Sequence, residues 1–333
     1  MKNDYYNRNL EFALTTSIWK HHVNIYCEPS LTRYVKRMQG KSYGIPAFDV
    51  SGSEIETKYK IIVTRGEDIE IEWKPEEYTA LLKVHPRYSE ALDKEVAFLS
   101  LSISEYMRQL EGKCISNACG ISTVDNRGVI LFGKRAHGKT SVSLLLCKER
   151  DYRLIGSDQV IFGFHNNNTL GEDLWMFEGT KYVTLRRATA EKYFPEYIEK
   201  FKEGKFWDDK INIRCDELNI KISDVPAQIN RVFLVNLDFN ETVPLSCIDA
   251  REDLETSLFL PEIVSRHITG ICSPILDEKG AFLSLSPSFD DHLTRSKRKR
   301  IIQKLIEAPI YKITGGNIYE MADTIDRLTS FSL

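Results

Sequence analysis

The chain has 333 residues, of which 42% are apolar and 28% are charged, a balance typical of a globular protein of one or two domains. This composition excludes disordered and collagen-like proteins. The 45 basic and 48 acidic side chains give a formal net charge of −3, so no overall field favours nucleic acid or an anionic membrane as a partner. Partners must therefore be selected by local sites.

The start of the chain and its cysteines indicate where the protein resides. Met1 to Tyr5 is polar where a signal peptide has its apolar core, and no stretch approaches the ~18 apolar residues of a membrane-spanning helix. The seven cysteines are an odd number without a regular framework, which is typical of reduced thiols. We expect a cytoplasmic protein that binds neither membrane nor nucleic acid, and the sequence leaves open whether it forms a homo-oligomer.

Residues 1–111 are predicted to form a smaller N-terminal accessory domain. Short apolar runs such as Val23 to Tyr26 predict strands there. Apolar residues then recur at helical spacing from Glu90 to Leu110, and Gly112 is a suitable helix terminator. We expect this helix to lead into a second domain, residues 112–333.

The second domain begins with an alternation of strand and helix patterns. Val129 to Phe132 predict a buried parallel strand, and Thr140 to Arg150 predict an amphipathic helix after it. Leu154 to Phe162 predict the next strand, around an acidic residue. The order strand, loop, helix, strand indicates an α/β or mixed α+β fold. Downstream, the predicted elements are strands at Lys181 to Leu185 and Val232 to Leu237, the second of them central, and an amphipathic helix at Ser296 to Glu307.

The loop between this strand and helix matches the P-loop, or Walker A, pattern G-x-x-x-x-G-K-[S/T] without a mismatch. Its glycines permit backbone angles and close approach, so that successive N–H groups can surround phosphates. Lys139 is predicted to neutralise the β- and γ-phosphates of ATP, and Thr140 to ligate Mg²⁺. The predicted nucleotide-binding residues of this 133–140 loop are Gly133, Lys134, Arg135, Ala136, His137, Gly138, Lys139 and Thr140.

The variable positions make the 133–140 loop unusually basic. Lys134, Arg135 and His137 are interpreted either as solvent-facing residues or, for Arg135 or His137, as a second cation facing the transferred phosphoryl group. The sequence leaves both interpretations open.

An acidic residue follows the predicted helix. Asp158 lies 18 residues beyond Thr140, near the end of the strand predicted after that helix. A carboxylate there can reach a Mg²⁺ ion or accept the proton of a hydroxyl. Strand ends also carry aspartates that cap turns, so the pattern alone leaves a catalytic and a structural role open.

The segment from Gly128 through the loop and helix to Val160 resembles HPr kinase, a family grouped with the ATP-type phosphoenolpyruvate carboxykinases. The resemblance implies a P-loop kinase domain from Gly112 to the C-terminus. Family members carry an Asp-Asp pair on the strand after the loop, as base for the acceptor serine and as partners of Mg²⁺. Asp158 matches the second acid of the pair, which implies a catalytic and metal-binding role beside Lys139 and Thr140.

The sequence departs from the HPr kinase pattern at several places. Ser157 stands where the first acid of the pair is expected, and Asn117 to Gly120 contain no histidine where the family often has one. The glycine-rich signature of the reverse, phosphorylase reaction is absent. Phe177 to Arg186 instead resembles divergent HPr-kinase-like proteins of biosynthetic clusters for modified peptides, including lasso peptides. This resemblance implies one-directional transfer to a hydroxyl of a peptide or another product.

Other polar residues have simpler interpretations. Lys181 and Arg186 alternate onto opposite strand faces, so at most one contacts an anion, and each is interpreted as a solvated cation. Glu178 is interpreted as a surface glutamate, and Asp238, after an apolar strand, as a turn residue. The basic run Arg295 to Arg300 lacks interleaved aromatic residues and is interpreted as a solvated helix face.

The sequence therefore predicts a Mg²⁺-dependent kinase that moves the γ-phosphoryl group of ATP to a hydroxyl, on Ser or Thr of a peptide or protein. Two alternatives stay open. One is a small-molecule kinase acting on a sugar, nucleoside or amino acid. The other is a nucleotide-binding regulator with reduced catalysis, which Ser157 and the missing upstream histidine favour.

Overall fold

The computed structural model describes residues 9–165, 173–201, 209–238, 240, 242–270, 274–276, 282–285 and 287–330. These residues form a mixed α/β structure with several sheets and helices. The chain divides into two compact units, residues 1–111 with 265–298 and residues 112–264 with 299–333. Residues 265–298 thus group with the N-terminal part, although they lie within the predicted 112–333 domain. Within the described part of the chain, no helix has both the length and the apolar character needed to cross a membrane.

A mixed sheet with a long helix forms the N-terminal part of the first unit. Within residues 9–111, the elements are strands β1 (Glu11–Ile18), β2 (His21–Cys27), β3 (Phe48–Ser51), β4 (Lys60–Arg65), β5 (Glu70–Lys74) and β6 (Thr79–Val84), helices α1 (Pro29–Val35) and α2 (Leu92–Leu110), and short 3-10 turns at Lys36–Met38, Pro75–Glu77 and Pro86–Ala91. The sheet order is β3-β1-β2-β4-β6-β5, with β4 parallel to both of its neighbours. The predicted helix is confirmed as α2, and Gly112 just beyond it has a φ of 74°, which a glycine adopts without strain.

The rest of the chain alternates strands and helices. Its strands are β7 (Lys113–Ser116), β8 (Cys119–Ser122), β9 (Arg127–Phe132), β10 (Arg153–Gly156), β11 (Val160–Phe164), β12 (Leu174–Gly179), β13 (Tyr182–Arg186), β14 (Lys210–Arg214), β15 (Ala227–Leu237), β16 (Ser246–Asp249), β17 (Pro274–Leu276), β18 (Phe282–Leu285) and β19 (Ile310–Gly315). Its helices are α3 (Lys139–Glu149), α4 (Arg187–Tyr193), α5 (Leu254–Ser265), α6 (His292–Glu307) and α7 (Ile318–Ser330), with a 3-10 turn at Pro195–Lys200.

The large sheet of the second unit is organised around β15. Its main path is β10-β8-β9-β15-β12-β11-β7, and β19 joins β15 as a further neighbour and pairs with β16. β15 runs parallel to β9 and to β19. The prediction that Val232 to Leu237 form a central strand is confirmed. The smaller pairs β13-β14 and β17-β18 stand apart from this sheet.

Both faces of the large sheet are covered, which explains the unbroken apolar run in β9. Val129 and Leu131 face a core that includes side chains of α3 and α7. Ile130 and Phe132 face a second core, with side chains of α5 and α6. Because successive residues of a strand point to opposite faces, a strand covered on both sides is apolar at every position. The strand and helix predicted around the 133–140 loop are confirmed as β9 and α3, but the prediction that the helix is amphipathic was wrong, because the seven consecutive residues from Ser141 to Cys147 are all buried.

The segment predicted as one strand after α3 forms two. β10 pairs with β8 at one end of the sheet path, whereas β11 pairs with β12 and β7 at the other. The turn between them, residues 157–159, is called the acidic turn below because it carries Asp158. The prediction of a single strand was wrong because apolar residues on both sides of a short turn give the same local pattern as one interrupted strand.

The basic run near the C-terminus is not wholly solvated. Arg298 is only 8% exposed, and its guanidinium donates to Asp290 at 2.9 Å and to Gln109 at 2.7 Å. Arg295, with a side chain 66% exposed, reaches the same Asp290 at 3.0 Å. The interpretation as a solvated face was therefore wrong at Arg298, because the helix turns this residue inward, where an acid and an amide compensate its charge.

Replacing Arg298 by alanine should destabilise the first unit. The change leaves Asp290 buried without its main cation, which typically costs about 3 kcal/mol, whereas Arg295→Ala removes an exposed pair and should cost under ~1 kcal/mol. Urea unfolding followed by tryptophan fluorescence measures both midpoints.

Although burial raises the pKa of Asp290, the hydrogen bond and charge of Arg298 lower it overall. The pair therefore contributes to the free energy of unfolding at pH values above the unfolded-state pKa of about 3.9. This contribution is lost as the pH falls through the lower pKa that Asp290 has in the folded state. Equal midpoints for the two variants at neutral pH would contradict this account.

Candidate functional site

The 133–140 loop leaves β9 and enters α3 by packing tightly on the end of β15. Gly133 has a φ of 153°, and a Cβ there would lie 2.4 Å from the carbonyl oxygen of Val235. Gly138 has a φ of 83°, and its Cβ would lie 2.5 Å from that of Leu237. The main-chain N–H of Leu237 also donates to the carbonyl of His137 at 3.0 Å. Both glycines are therefore required by contact with β15 as well as by their backbone angles.

The lysine of the loop is folded back over the loop itself. Nζ of Lys139 donates to the carbonyl oxygens of Gly133 and Lys134 at 2.7 and 3.0 Å. Lys139 is also the first residue of α3, where the positive end of the helix dipole lies. Lys134, Arg135 and Ala136 are exposed at the tip. The loop therefore combines a cation, a helix N-terminus and an open tip in one place.

The structure brings Thr140 next to the acidic turn. The hydroxyl of Thr140 donates to the carbonyl of Ser157 at 3.3 Å, and the following residue, Asp158, is exposed. A hydroxyl and a carboxylate are hard oxygen ligands of the kind that Mg²⁺ prefers. Among the described residues, no group of three or more His, Cys, Asp or Glu side chains could hold a metal ion. A metal at this position would therefore complete its coordination with water or with oxygens of a ligand.

Thr180 holds the acidic turn in place through several bonds. Its N–H donates to the carbonyl of Gln159 at 3.0 Å, and its own carbonyl accepts from the N–H of Ser157 at 3.1 Å. Its hydroxyl accepts from the N–H of Gln159 at 3.2 Å. Close contact of two glycines supports the same crossing, because a Cβ on Gly156 would lie 2.7 Å from the Cα of Gly179. Asp158 thus stands on a rigid turn although its side chain is exposed.

Ser157 cannot stand in for a missing acid, because its side chain points away from the surface. The residue is 1% exposed, and its hydroxyl donates to the carbonyl of Tyr182 and, at 3.4 Å, to that of Thr180. A carboxylate in this orientation would face two carbonyl oxygens and would be buried without a donor. The surroundings therefore suit a hydroxyl at this position and disfavour the first acid of an Asp-Asp pair.

The other acidic candidates are engaged elsewhere. Glu178 accepts from the N–H of Gly179 at 2.9 Å and pairs with Lys181 at 3.0 Å, and Nζ of Lys181 also donates to the carbonyl of Ile155 at 2.9 Å. Asp238 accepts from the N–H of Asn240 at 2.8 Å, the turn role that its sequence position favours. Asp158 is therefore the acid that the structure presents beside Thr140.

Burial and the neighbouring charges set the protonation of two side chains around the loop. Burial lowers the pKa of His137, and the cations Lys139 and Lys134 lower it further, which disfavours the charged form of this imidazole. Burial raises the pKa of Cys119 to about 11, and the charge of Asp158 adds to it while Lys139 opposes it. Sequence reasoning missed Cys119, which lies under the loop.

A cleft of about 140 Å³ opens beside the loop. Lys134 and Lys312 both approach Glu255 on its rim, the first at 3.9 Å. The apolar part of the lining comes from β15 and α5. No local pattern in the sequence marks this cleft, since its walls come from segments far apart along the chain. The lining residues are Gly133, Lys134, His137, Leu234, Val235, Asn236, Asp253, Glu255, Thr256, Phe259 and Lys312.

Comparisons with known proteins do not assign this chain to a family. No protein-family model matches the chain, and no curated protein matches it. Among solved structures, the chain is similar to the HPr(Ser) kinase/phosphatase from Coxiella burnetii, with 12% sequence identity, a TM-score of 0.27, and coverage of 64% of this chain and 92% of that one. A function for this chain must therefore be argued from the residues of the site.

Replacing Thr180 by valine should loosen the acidic turn. The valine leaves the buried N–H of Gln159 without its acceptor, which typically costs about 1–3 kcal/mol, whereas Thr180→Ser keeps the acceptor. Thr184→Val, which removes an exposed hydrogen bond to Asn212, is the matched control and should cost under ~1 kcal/mol. Urea midpoints measure all three. A Thr180→Val protein as stable as the Thr184→Val protein would show that this bond does not hold the turn.

Proposed function

We propose that the protein is a Mg²⁺-dependent P-loop kinase that transfers the γ-phosphoryl group of ATP to a hydroxyl, on Ser or Thr of a peptide or protein. One observation carries the proposal: the 133–140 loop, with Lys139 folded into it, meets the acidic turn through the hydrogen bond between Thr140 and Ser157. A phosphate-binding loop, a metal-binding hydroxyl and an exposed acid are the parts that phosphoryl transfer requires.

The nucleotide phosphates are assigned to the 133–140 loop. Successive backbone N–H groups from Gly133 to Thr140, the N-terminus of α3 and the ammonium of Lys139 all favour an anion. The ammonium of Lys139 contacts two loop carbonyls at 2.7 and 3.0 Å, so this cation lies within the loop. Phosphate oxygens are stronger acceptors for an ammonium than these carbonyls.

Thr140 and Asp158 are the residues that would hold Mg²⁺. Both supply oxygen, and the site offers too few protein ligands for a self-sufficient metal cage, which fits an ion that arrives with a nucleotide. When bound, Mg²⁺ would neutralise the charge on the β- and γ-phosphates. No other residue of the acidic turn offers a carboxylate.

The chemistry of the chain's own residues follows from their positions. Asp158 would accept the proton of the acceptor hydroxyl as its oxygen bonds to the γ-phosphorus, while the bond from that phosphorus to the β,γ-bridging oxygen breaks and ADP leaves. Lys139 would stabilise the charge that develops on the transferred group. The exposure of Asp158 lets a hydroxyl on a large acceptor approach it.

The proposed class of acceptor, the domain roles and the location of the protein rest on the sequence. The segment Phe177 to Arg186, which resembles the kinases of modified-peptide clusters, contains Thr180. Because Thr180 holds the acidic turn by hydrogen bonds, this segment is part of the site. The resemblance of this segment is the reason that we propose a peptide acceptor rather than a sugar, nucleoside or amino acid. We place the chemistry in residues 112–333, treat residues 1–111 as an accessory domain, and place the protein in the cytoplasm.

Replacing Asp158 by asparagine should lower phosphoryl transfer by about 10²–10⁴-fold, the usual contribution of a general base. Transfer of ³²P from labelled ATP to a panel of hydroxyl-bearing peptides and small molecules measures it. Asp238→Asn is the matched control, because asparagine still accepts the N–H of Asn240, and its activity should equal that of the wild type. Full activity of Asp158→Asn would remove Asp158 from the mechanism.

Transfer to small molecules alone would support the small-molecule kinase, and ATP binding without transfer would support the regulator.

Replacing Lys139 by alanine should abolish transfer and weaken ATP binding. The change removes the cation placed at the β- and γ-phosphates, and one charge-assisted contact of this kind is worth about 1.5–3 kcal/mol, or roughly 10–150-fold in affinity. Lys221→Ala, which removes an exposed pair with Asp151, should leave both unchanged. Calorimetric titration with ATP and Mg²⁺ gives the affinities. Wild-type affinity in the Lys139→Ala protein would place the phosphates elsewhere.

A further inference from the structure

The carbonyl oxygen of Ser157 accepts two side-chain hydrogen bonds at the junction of the loop and the acidic turn. The hydroxyl of Thr140 donates to it at 3.3 Å, and the buried thiol of Cys119 lies against it as a second donor. Sγ of Cys119 also lies 3.8 Å from Oγ1 of Thr140. One main-chain carbonyl therefore joins the start of α3, the start of β8 and the turn that carries Asp158.

The thiol of Cys119 is built to remain a donor. The side chain is fully buried, with 0% exposure, and its sulfur lies against the carbonyl oxygen of Ser157. A buried S–H group that points at a carbonyl can orient that carbonyl as a hydroxyl would, with a weaker bond.

The carbonyl of Ser157, which Cys119 contacts, orients the hydroxyl of Thr140. A hydroxyl has one proton and two lone pairs. While the proton of Thr140 is donated to the Ser157 carbonyl, its lone pairs are directed away from the turn and are available to a metal. The same peptide unit continues directly into Asp158. Movement of this carbonyl would thus misalign both of the oxygens that we assign to Mg²⁺.

We propose that Cys119 is a positioning residue for the metal end of the site. It fixes the Ser157 carbonyl, which in turn orients the hydroxyl of Thr140 and the carboxylate of Asp158. This inference rests on the proposed function, because it concerns Mg²⁺ binding with a nucleotide.

The test is the Mg²⁺ dependence of nucleotide binding by the full-length protein. A fluorescent ADP analogue is titrated at fixed concentration with Mg²⁺, and its binding is also measured in EDTA. For Cys119→Ala, the Mg²⁺ concentration at half-saturation should rise about fivefold, the weight of one lost hydrogen bond, with unchanged binding in EDTA. Cys119→Ser, which keeps a donor, should restore most of the wild-type Mg²⁺ dependence.

A second buried cysteine separates positioning from packing. Cys147 on α3 belongs to the same core as Cys119, and Cys147→Ala loses the same volume, so it should lower stability without changing the Mg²⁺ dependence. Cys119→Val fills the space without a donor and should behave like Cys119→Ala, which keeps the test available if the alanine variant does not fold. An unchanged Mg²⁺ dependence in the donor-less variants, or an equal change in Cys147→Ala, overturns the positioning role. A wild-type protein that binds the analogue without any Mg²⁺ effect instead overturns the proposed function.

Discussion

The contact between the 133–140 loop and the end of β15 is the constraint on which the site depends. Gly133 and Gly138 approach Val235 and Leu237 so closely that any side chain would collide with them. This packing directs α3 away from the sheet edge with its N-terminus, Lys139 and Thr140 on the same side. β15 can supply this rigid surface because it lies inside the sheet, parallel to β9 and β19, with apolar cores on both faces.

A second set of contacts brings a single acid to that loop. Thr180 and the Gly156–Gly179 crossing hold the acidic turn, and Thr140 contacts it through the Ser157 carbonyl. Because the Ser157 side chain faces carbonyl oxygens, the fold presents one carboxylate rather than two. In this account Asp158 serves both the metal and the acceptor hydroxyl. A one-acid arrangement is therefore a property of how the turn packs.

The sequence predicts those parts of the site that are encoded locally. The apolar run of β9, the glycine pattern and the apolar residues of α3 lie within one short stretch, and the strand and the helix were confirmed. Other features depend on contacts between distant residues. These are the hydrogen bonds of Thr180 to the acidic turn, the thiol of Cys119 beneath the loop, the wall of the cleft that α5 forms, and the pairing of Arg298 with Asp290. Such contacts leave no periodic signal, so the missing acid at Ser157 could be seen in the sequence but not explained by it.

The central claim is that the 133–140 loop holds the nucleotide phosphates with Thr140 and Asp158 at the metal. The most direct measurement is a crystal structure of the full-length protein with Mg²⁺ and a non-hydrolysable ATP analogue. The account predicts the triphosphate within the backbone N–H groups of the loop, Lys139 moved from the Gly133 and Lys134 carbonyls onto phosphate oxygens, and Mg²⁺ between Thr140 and Asp158. A triphosphate bound elsewhere, or an empty loop at saturating analogue, would contradict it.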